Sequence, residues 1–162
     1  RSAGARRLRA EGLGAEVVSQ EVPDWFLNRW PDVRASDALE AAATEYACQG
    51  LELDVVGLCW GGDLQRGPGG WEMRNFAGSR WQRATRDAHF IRNTYRVLLT
   101  RARYETVIWV PRGSARDDPW HDVTRDAAAL DAVADFLLAC GARPLDPGAL
   151  APPAPVAAGL LL

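Results

Sequence analysis

Leu53 to Trp60 reads LDVVGLCW, and Thr106 to Val110 reads TVIWV. Both are short, near-continuous apolar runs, the first closed by Gly61 and Gly62 and the second by Pro111. Runs of this length predict strands, and the lack of polar alternation predicts burial on both faces, as in a parallel sheet. From Arg80 to about Arg101 the apolar positions Trp81, Ala84, Ala88, Ile91, Tyr95, Leu98 and Ala102 step by three or four, which predicts a helix between the two strands. Residues 61 to 70 hold five glycines and Pro68 and are expected to turn the chain into a returning strand at Trp71 to Phe76. Beyond the second strand, Asp117-Asp118-Pro119 is a helix-start signal. Val123, Ala127, Leu130, Val133 or Ala134, and Leu137 then carry one apolar stripe up to a capping Gly141. Strands alternating with helices predict an α/β fold, with a mostly parallel sheet flanked by helices and interrupted by a hairpin insertion.

Outward from this centre the signals weaken. Ser2 to Gly12 (SAGARRLRAEG) has helix-forming residues with Gly12 as a C-cap, and Val17-Val18 begins a short extended segment. Asp24 to Trp30 (DWFLNRW) is a short amphipathic piece that stops at Pro31. Ala38 to Thr44 reads equally as helix or extended chain. One domain is expected over residues 1–145, without internal repeats, followed by a Pro/Ala-rich disordered tail over 146–162. The segment ALAPPAPVAAGLLL, Ala149 to Leu162, is too short and too proline-rich to span a bilayer as a helix. No positively charged segment leads into an apolar stretch as in a signal peptide, and no membrane partner is expected.

The composition narrows the chemistry. In 162 residues, 48% are hydrophobic and 25% charged, enough for a core and too apolar for disorder. The formal charge is −2, which excludes a chain-wide polycation coating nucleic acid by charge alone. All 19 basic residues are arginine. Without lysine, a Schiff base and a P-loop lysine are both impossible for this chain. Together with abundant Ala, Gly and Pro, this bias reads as that of a GC-rich genome. Three widely spaced cysteines, Cys48, Cys59 and Cys140, fit a reducing cytoplasm better than a disulfide framework, so a cytoplasmic location is expected.

The two histidines, His89 and His121, lack metal-ligand spacing with each other or with a cysteine, and no GxSxG or adjacent serine nucleophile is evident. Charge distribution is more informative. Arginines 74, 80, 83, 86, 92, 96, 101 and 103 face a single acid, Asp87, within an acidic chain. That segment is either an anion-binding surface or a solvated helix face paired with the six aspartates between Asp117 and Asp135. The seven tryptophans read as core and hairpin packing, with Trp71 the one expected to be exposed.

Two segments carry a resemblance. Thr44 to Val56 reads TEYACQGLELDVV, and Asn93 to Val110 reads NTYRVLLTRARYETVIWV. They resemble motifs V and VI of superfamily 1 motor ATPases: a small-residue loop with Gln-Gly-Leu-Glu before a strand, and a Leu-Thr-Arg-Ala core before another. With their surroundings, QGLELDVVGLCWGGDL and RNTYRVLLTRAR, they are similar to the Schlafen-group-3-like DNA/RNA helicase family of bacterial proteins, over roughly residues 1–145. The resemblance implies a RecA-like second domain, N-terminally truncated and separated from its ATP-binding half.

In such motors ATP lies between two RecA-like domains and single-stranded nucleic acid runs across both. By this resemblance Arg101 is the arginine finger that reaches the γ-phosphate, a role suited to a permanently charged planar fork. Thr100 helps position it. Gln49, Gly50 and Glu52 lie near the nucleotide, with Gly50 allowing close backbone approach and Glu52 bonding a nucleotide sugar or orienting the loop. For Glu52 a capping or salt-bridging carboxylate at a strand start remains the alternative. Thr44 and Tyr46 contact nucleic acid, Tyr46 by stacking on a base. Arg103 pairs with a carboxylate or contacts nucleic acid. Arg6 or Arg7 touches the nucleotide from the N-terminal segment.

The implied whole is an ATP-dependent DNA/RNA helicase or translocase, using ATP with magnesium held mainly by an N-terminal P-loop domain, and this chain alone is not expected to hydrolyse ATP. Two alternatives stay open: a non-catalytic α/β module that binds nucleic acid or a protein partner, and a decaying remnant that folds poorly.

Overall fold

The two apolar runs do pair. The computed structural model describes residues 17, 19–117, 119 and 121–145, and in it β1 (Leu53–Cys59) and β5 (Ala102–Trp109) form a two-stranded parallel sheet. Leu53 lies beside Ala102 and Cys59 beside Trp109, with one register shift between Leu53 and Val55. β5 starts four residues before the apolar run does, because Ala102–Glu105 pairs along β1 despite its polar side chains.

The expectation of a mostly parallel sheet is corrected. Three of the five strands among the described residues form a separate antiparallel meander: β2 (Leu64–Gly67), β3 (Gly70–Ala77) and β4 (Arg80–Arg83). Pro68-Gly69 closes the first turn, between the paired glycines Gly67 and Gly70. Gly78, at φ +63°, supplies the positive dihedral that the second two-residue turn requires. Phe76 sits opposite Trp81 across that hairpin, with their rings edge to face at 5.1 Å.

The helix expected from Arg80 is therefore shorter. α2 spans Ala88–Leu99, and Arg80–Arg83 belong to β4. Trp81 and Ala84 kept the helical spacing by coincidence: the Ala84 amide donates to the Met73 carbonyl at 2.8 Å and so prolongs the β3–β4 ladder. The C-terminal helix, α3, is likewise shorter and spans Ala127–Ala139. Its start is Asp126, whose side chain accepts the Ala129 amide, and not Asp117-Asp118-Pro119. Val123, expected on its apolar stripe, is 81% exposed. Asp122 explains this, since its carboxylate accepts from the Thr124 amide and hydroxyl and holds a tight turn there. Gly141 follows the end of α3 as expected, at φ +103°.

The core gathers Trp60, Leu64, Ala84, Ile91, Tyr95 and Val133, with Trp71, Met73, Ile108 and Leu137 packed against it. Trp71 is thus not the exposed tryptophan. It stacks on Trp60 at 6.0 Å and meets Phe136 of α3 edge to face at 5.2 Å. Trp30 and Trp109 are the exposed ones among the described residues. LDVVGLCW is not buried on both faces either: Val56 and Leu58 point inward, while Val55 is 58% exposed among the described residues.

Upstream, α1 (Val22–Leu27) ends before a cis Trp30–Pro31 bond. The Asp24 to Trp30 piece is thus helical in its first part. Ser36–Ala38 is a single 3₁₀ turn, Leu39 follows in a left-handed conformation at φ +59°, and the Ala42 carbonyl accepts the Val17 amide, so the ambiguous Ala38 to Thr44 stretch is neither an α-helix nor a strand. The N-terminal helix, Arg6, Arg7 and the tail over 146–162 lie outside the described residues. No helix among the described residues is long and apolar enough to cross a membrane.

Candidate functional site

Residues 45–50 form a continuous set of turns that leads into β1. Successive backbone bonds wind it: the Cys48 amide to Thr44, Gln49 to Tyr46, and Leu51 to Cys48. Thr44 shapes its start, with Oγ1 accepting the Ala47 amide at 3.3 Å. Gly50 ends it at φ +83°, a left-handed conformation that glycine adopts without strain. A Cβ there would meet nothing within 4 Å. Within the chain Gly50 therefore serves backbone conformation, and the space above it is open.

The second loop is the junction of α2 and β5. Thr100 closes α2, with its hydroxyl directed at the Arg96 and Val97 carbonyls at 3.0 and 3.1 Å. Arg101 follows, and its Nη1 donates to the Leu51 carbonyl at 3.2 Å, fifty residues away in sequence. Parallel pairing brings them together, because each precedes the first residue of neighbouring strands and Leu53 and Ala102 are in register. The Leu53 amide reinforces the junction by donating to the Arg101 carbonyl at 3.4 Å. The guanidinium is half-buried, and its Nε lies buried without a hydrogen-bond partner. A buried donor without a partner is costly, so this fork is not saturated by the chain itself.

Electrostatically the two loops also communicate. Burial pushes the Cys48 thiol up from its ordinary value of 9.0, and the positive charge of Arg101 partly offsets that rise. Around the fork, Gln49 and Glu52 are exposed, and neither side chain makes a hydrogen bond or ion pair among the described residues. The capping role open to Glu52 is therefore not realised. Tyr46 is 70% exposed at the outer rim of the turn. Arg103 takes the carboxylate alternative, with Nη2 at 3.0 Å from Asp54 across the β1–β5 pair. Both partners are more than half exposed, so that ion pair is weak and readily exchanged.

Of the residues singled out in the sequence, Gln49, Gly50, Glu52, Thr100 and Arg101 thus converge on the adjoining N-terminal ends of β1 and β5. Three further features escaped sequence reading. One is the Leu51 carbonyl, a main-chain group that carries no residue signature. A second is a buried relay, in which the Gly61 amide donates to Tyr95 Oη at 2.9 Å and that hydroxyl donates to Asp63 Oδ1 at 2.6 Å. It ties the end of β1 to the middle of α2, six residues before Arg101.

The third is a serine beside a histidine: Ser114 Oγ lies 3.1 Å from His121 Nδ1 and accepts the Asp122 amide at 2.7 Å. These line an open cleft of about 500 Å³ together with Arg116, Arg125 and Asp126. No carboxylate orients His121 among the described residues, so the pair serves as a clasp for the loop before α3. No group of three or more His, Cys, Asp or Glu that could hold a metal ion occurs among the described residues.

The arginine segment is unpaired where it matters. Arg80, Arg83, Arg86, Arg92 and Arg96 are all exposed, and their side chains make no ion pair or hydrogen bond among the described residues. Of the six aspartates expected to neutralise them, three are engaged elsewhere: Asp122 with Arg125, Asp126 at the α3 cap, and Asp131 with the Gly113 amide.

A family model described as Schlafen group 3, DNA/RNA helicase domain, matches residues 7–112. The matched stretch contains both loops, the meander and α2, and it ends before α3. No curated protein and no solved structure gives a match.

Proposed function

Since the chain belongs to the Schlafen group 3 DNA/RNA helicase domain family, we propose that it works as the second RecA-like domain of an ATP-dependent, superfamily 1-type DNA/RNA helicase or translocase. In this reading Arg101 is the arginine finger. ATP, with magnesium neutralising its phosphates, is held mainly by a P-loop domain, because a chain without lysine has no P-loop lysine of its own.

One observation carries the proposal: Arg101 joins the two loops through Nη1 and Leu51, while its Nη2 makes no hydrogen bond or ion pair among the described residues. A fork fixed at one nitrogen and open at others is preorganised for an anion whose charge grows in the transition state. Thr100 fixes the turn that aims it. Gln49 and Glu52 offer free amide and carboxylate groups to a nucleotide, and the open space at Gly50 admits one. Thr44 and Tyr46 on the first loop, and Arg103 at the start of β5 with its exchangeable Asp54 pair, would contact single-stranded DNA or RNA.

The test is ATP turnover in the natural polypeptide that joins this domain to a P-loop. Arg101→Ala should lower kcat by about 10³-fold or more, as loss of an arginine finger does, with KM for ATP changed far less. Arg101→Lys should recover little, since an ammonium lacks the planar fork. Unchanged turnover in Arg101→Ala overturns the assignment. So does ATP turnover by the isolated chain that Arg101→Ala abolishes, because the chain would then supply the whole site.

A further inference from the structure

The exposed side of α2 gathers what the nucleotide reading does not use. In a helix, residues three and four apart share a face, so His89, Arg92, Asn93 and Arg96 form one stripe, and Thr100 continues it. All are exposed, and their neighbours Arg80, Arg83 and Arg86 precede them on β4 and the linker. α2 contains no acid. The one acid of the segment, Asp87, accepts a hydrogen bond from Asn75 Nδ2 at 3.1 Å. A concentration of unpaired arginine in a chain of net charge −2 is local and is not a by-product of composition.

Charge alone would fit any polyanion, but aromatic rings lie among these arginines. Phe90 is 63% exposed on α2, with its ring 3.9 Å from that of His89. Burying a phenylalanine is favourable, so a partner that covers this ring gains apolar contact beside the arginines. Acidic peptides use the charge and have no flat faces to stack. Single-stranded nucleic acid uses both, through phosphates on the guanidinium forks and bases on the rings.

We propose that the α2 stripe His89–Arg92–Asn93–Arg96, with Phe90 at its edge, binds the backbone and bases of single-stranded nucleic acid. This interface is distinct from the Thr44, Tyr46 and Arg103 contacts, and it deepens the helicase reading by adding a second stretch of track. It runs along α2 to Thr100, immediately before Arg101. Arg92 and Arg96 lie one turn apart, about 6 Å along the axis, and so act on successive positions of one strand.

The test is a fluorescence-anisotropy titration of the full chain with a labelled single-stranded oligonucleotide of about 16 nucleotides across a salt series, without nucleotide present. Arg92→Gln/Arg96→Gln should reduce the slope of log affinity against log salt by about 1.4, two phosphate contacts' worth. Arg112→Gln/Arg143→Gln removes the same charge from exposed positions beyond β5 and α3 and should change the slope by less than about 0.5. Phe90→Ala should weaken binding about fivefold or more without changing the slope, the signature of lost stacking.

An unchanged slope in Arg92→Gln/Arg96→Gln overturns the proposal. So does displacement of the oligonucleotide by a polyglutamate peptide of equal charge at equal concentration, which would mark an acidic-protein surface. Because no ATP is present, failure here leaves Arg101-dependent turnover untouched, and failure of that turnover leaves this binding untouched.

Discussion

Tyr95→Phe isolates one buried atom, and its cost can be worked from the structure. The ring stays, with its centroid 4.4 Å from that of Trp60, so apolar packing is conserved. The hydroxyl is lost, and with it the 2.6 Å bond to Asp63, a carboxylate only 2% exposed, and the 2.9 Å bond from the Gly61 amide. A hydrogen bond to a charged group contributes about 1.5–3 kcal/mol, and a stranded backbone amide adds about 1 kcal/mol or more. The expected loss is therefore about 2.5–4 kcal/mol, a large fraction of the roughly 5–15 kcal/mol that holds a typical domain together. Urea unfolding followed by circular dichroism measures it, and hydrogen exchange at the Gly61 amide reports on the same bond locally. A loss below about 0.5 kcal/mol, with the Gly61 amide still protected, would refute the claim that this relay pins α2 to the end of β1.

Asp126→Ala should cost about 1 kcal/mol by removing the side-chain acceptor of the Ala129 amide, read as a lower urea midpoint at unchanged m-value. At pH 8, iodoacetamide should modify the exposed Cys140 in the native chain while Cys48 and Cys59 react only on unfolding, as mass spectrometry of the labelled peptides would show. Burial holds both of those thiols above their ordinary value, so the folded state keeps its protons longer than the unfolded one. Their contribution to stability is complete below about pH 9.0 and is lost as pH rises further, which a pH series of urea midpoints tests.

What the sequence disclosed depended on the range of the interaction concerned. LDVVGLCW and TVIWV were legible as strands because apolar continuity over five to eight residues is a local property. Their parallel pairing followed from the helix between them. The meander was half-legible: Pro68-Gly69 announced one turn, but the strand after Gly78-Ser79, Arg80–Arg83, was hidden inside a spacing that also satisfies a helix. Cross-strand packing of Phe76 on Trp81 decided that segment, and such a contact leaves no periodic trace. The start of α3 was misread because Asp117-Asp118-Pro119 and Asp126 are both capping signals. A local turn held by Asp122 and Thr124 selected between them, a hydrogen-bonding choice that the apolar spacing does not record. Of the candidate site, Gly50, Thr100 and Arg101 could be found by motif, whereas Leu51 acts through its carbonyl and Tyr95 through a partner 32 residues away.

The meeting of Arg101 with the Gly50–Glu52 loop is a consequence of strand direction. In a parallel pair, whatever precedes one strand lies beside whatever precedes the other. Were β5 antiparallel to β1, Arg101 would sit at the far end of a seven-residue strand, about 23 Å away. The crossover that permits parallel pairing is the segment from Gly61 to Thr100, which carries the meander and α2, and so also the unpaired arginines. One topological choice therefore fixes both features: the fork at the strand starts, and a basic helix whose last turn delivers that fork. Displacement of α2 along its axis would move Thr100 and Arg101 directly, because no flexible linker separates Leu99 from Ala102. Tyr95 resists that displacement through Gly61 and Asp63. On the proposed reading, a strand bound along Arg92 and Arg96 would pull on the same rigid element, and so would couple nucleic-acid occupancy to the contact that Arg101 makes with phosphate.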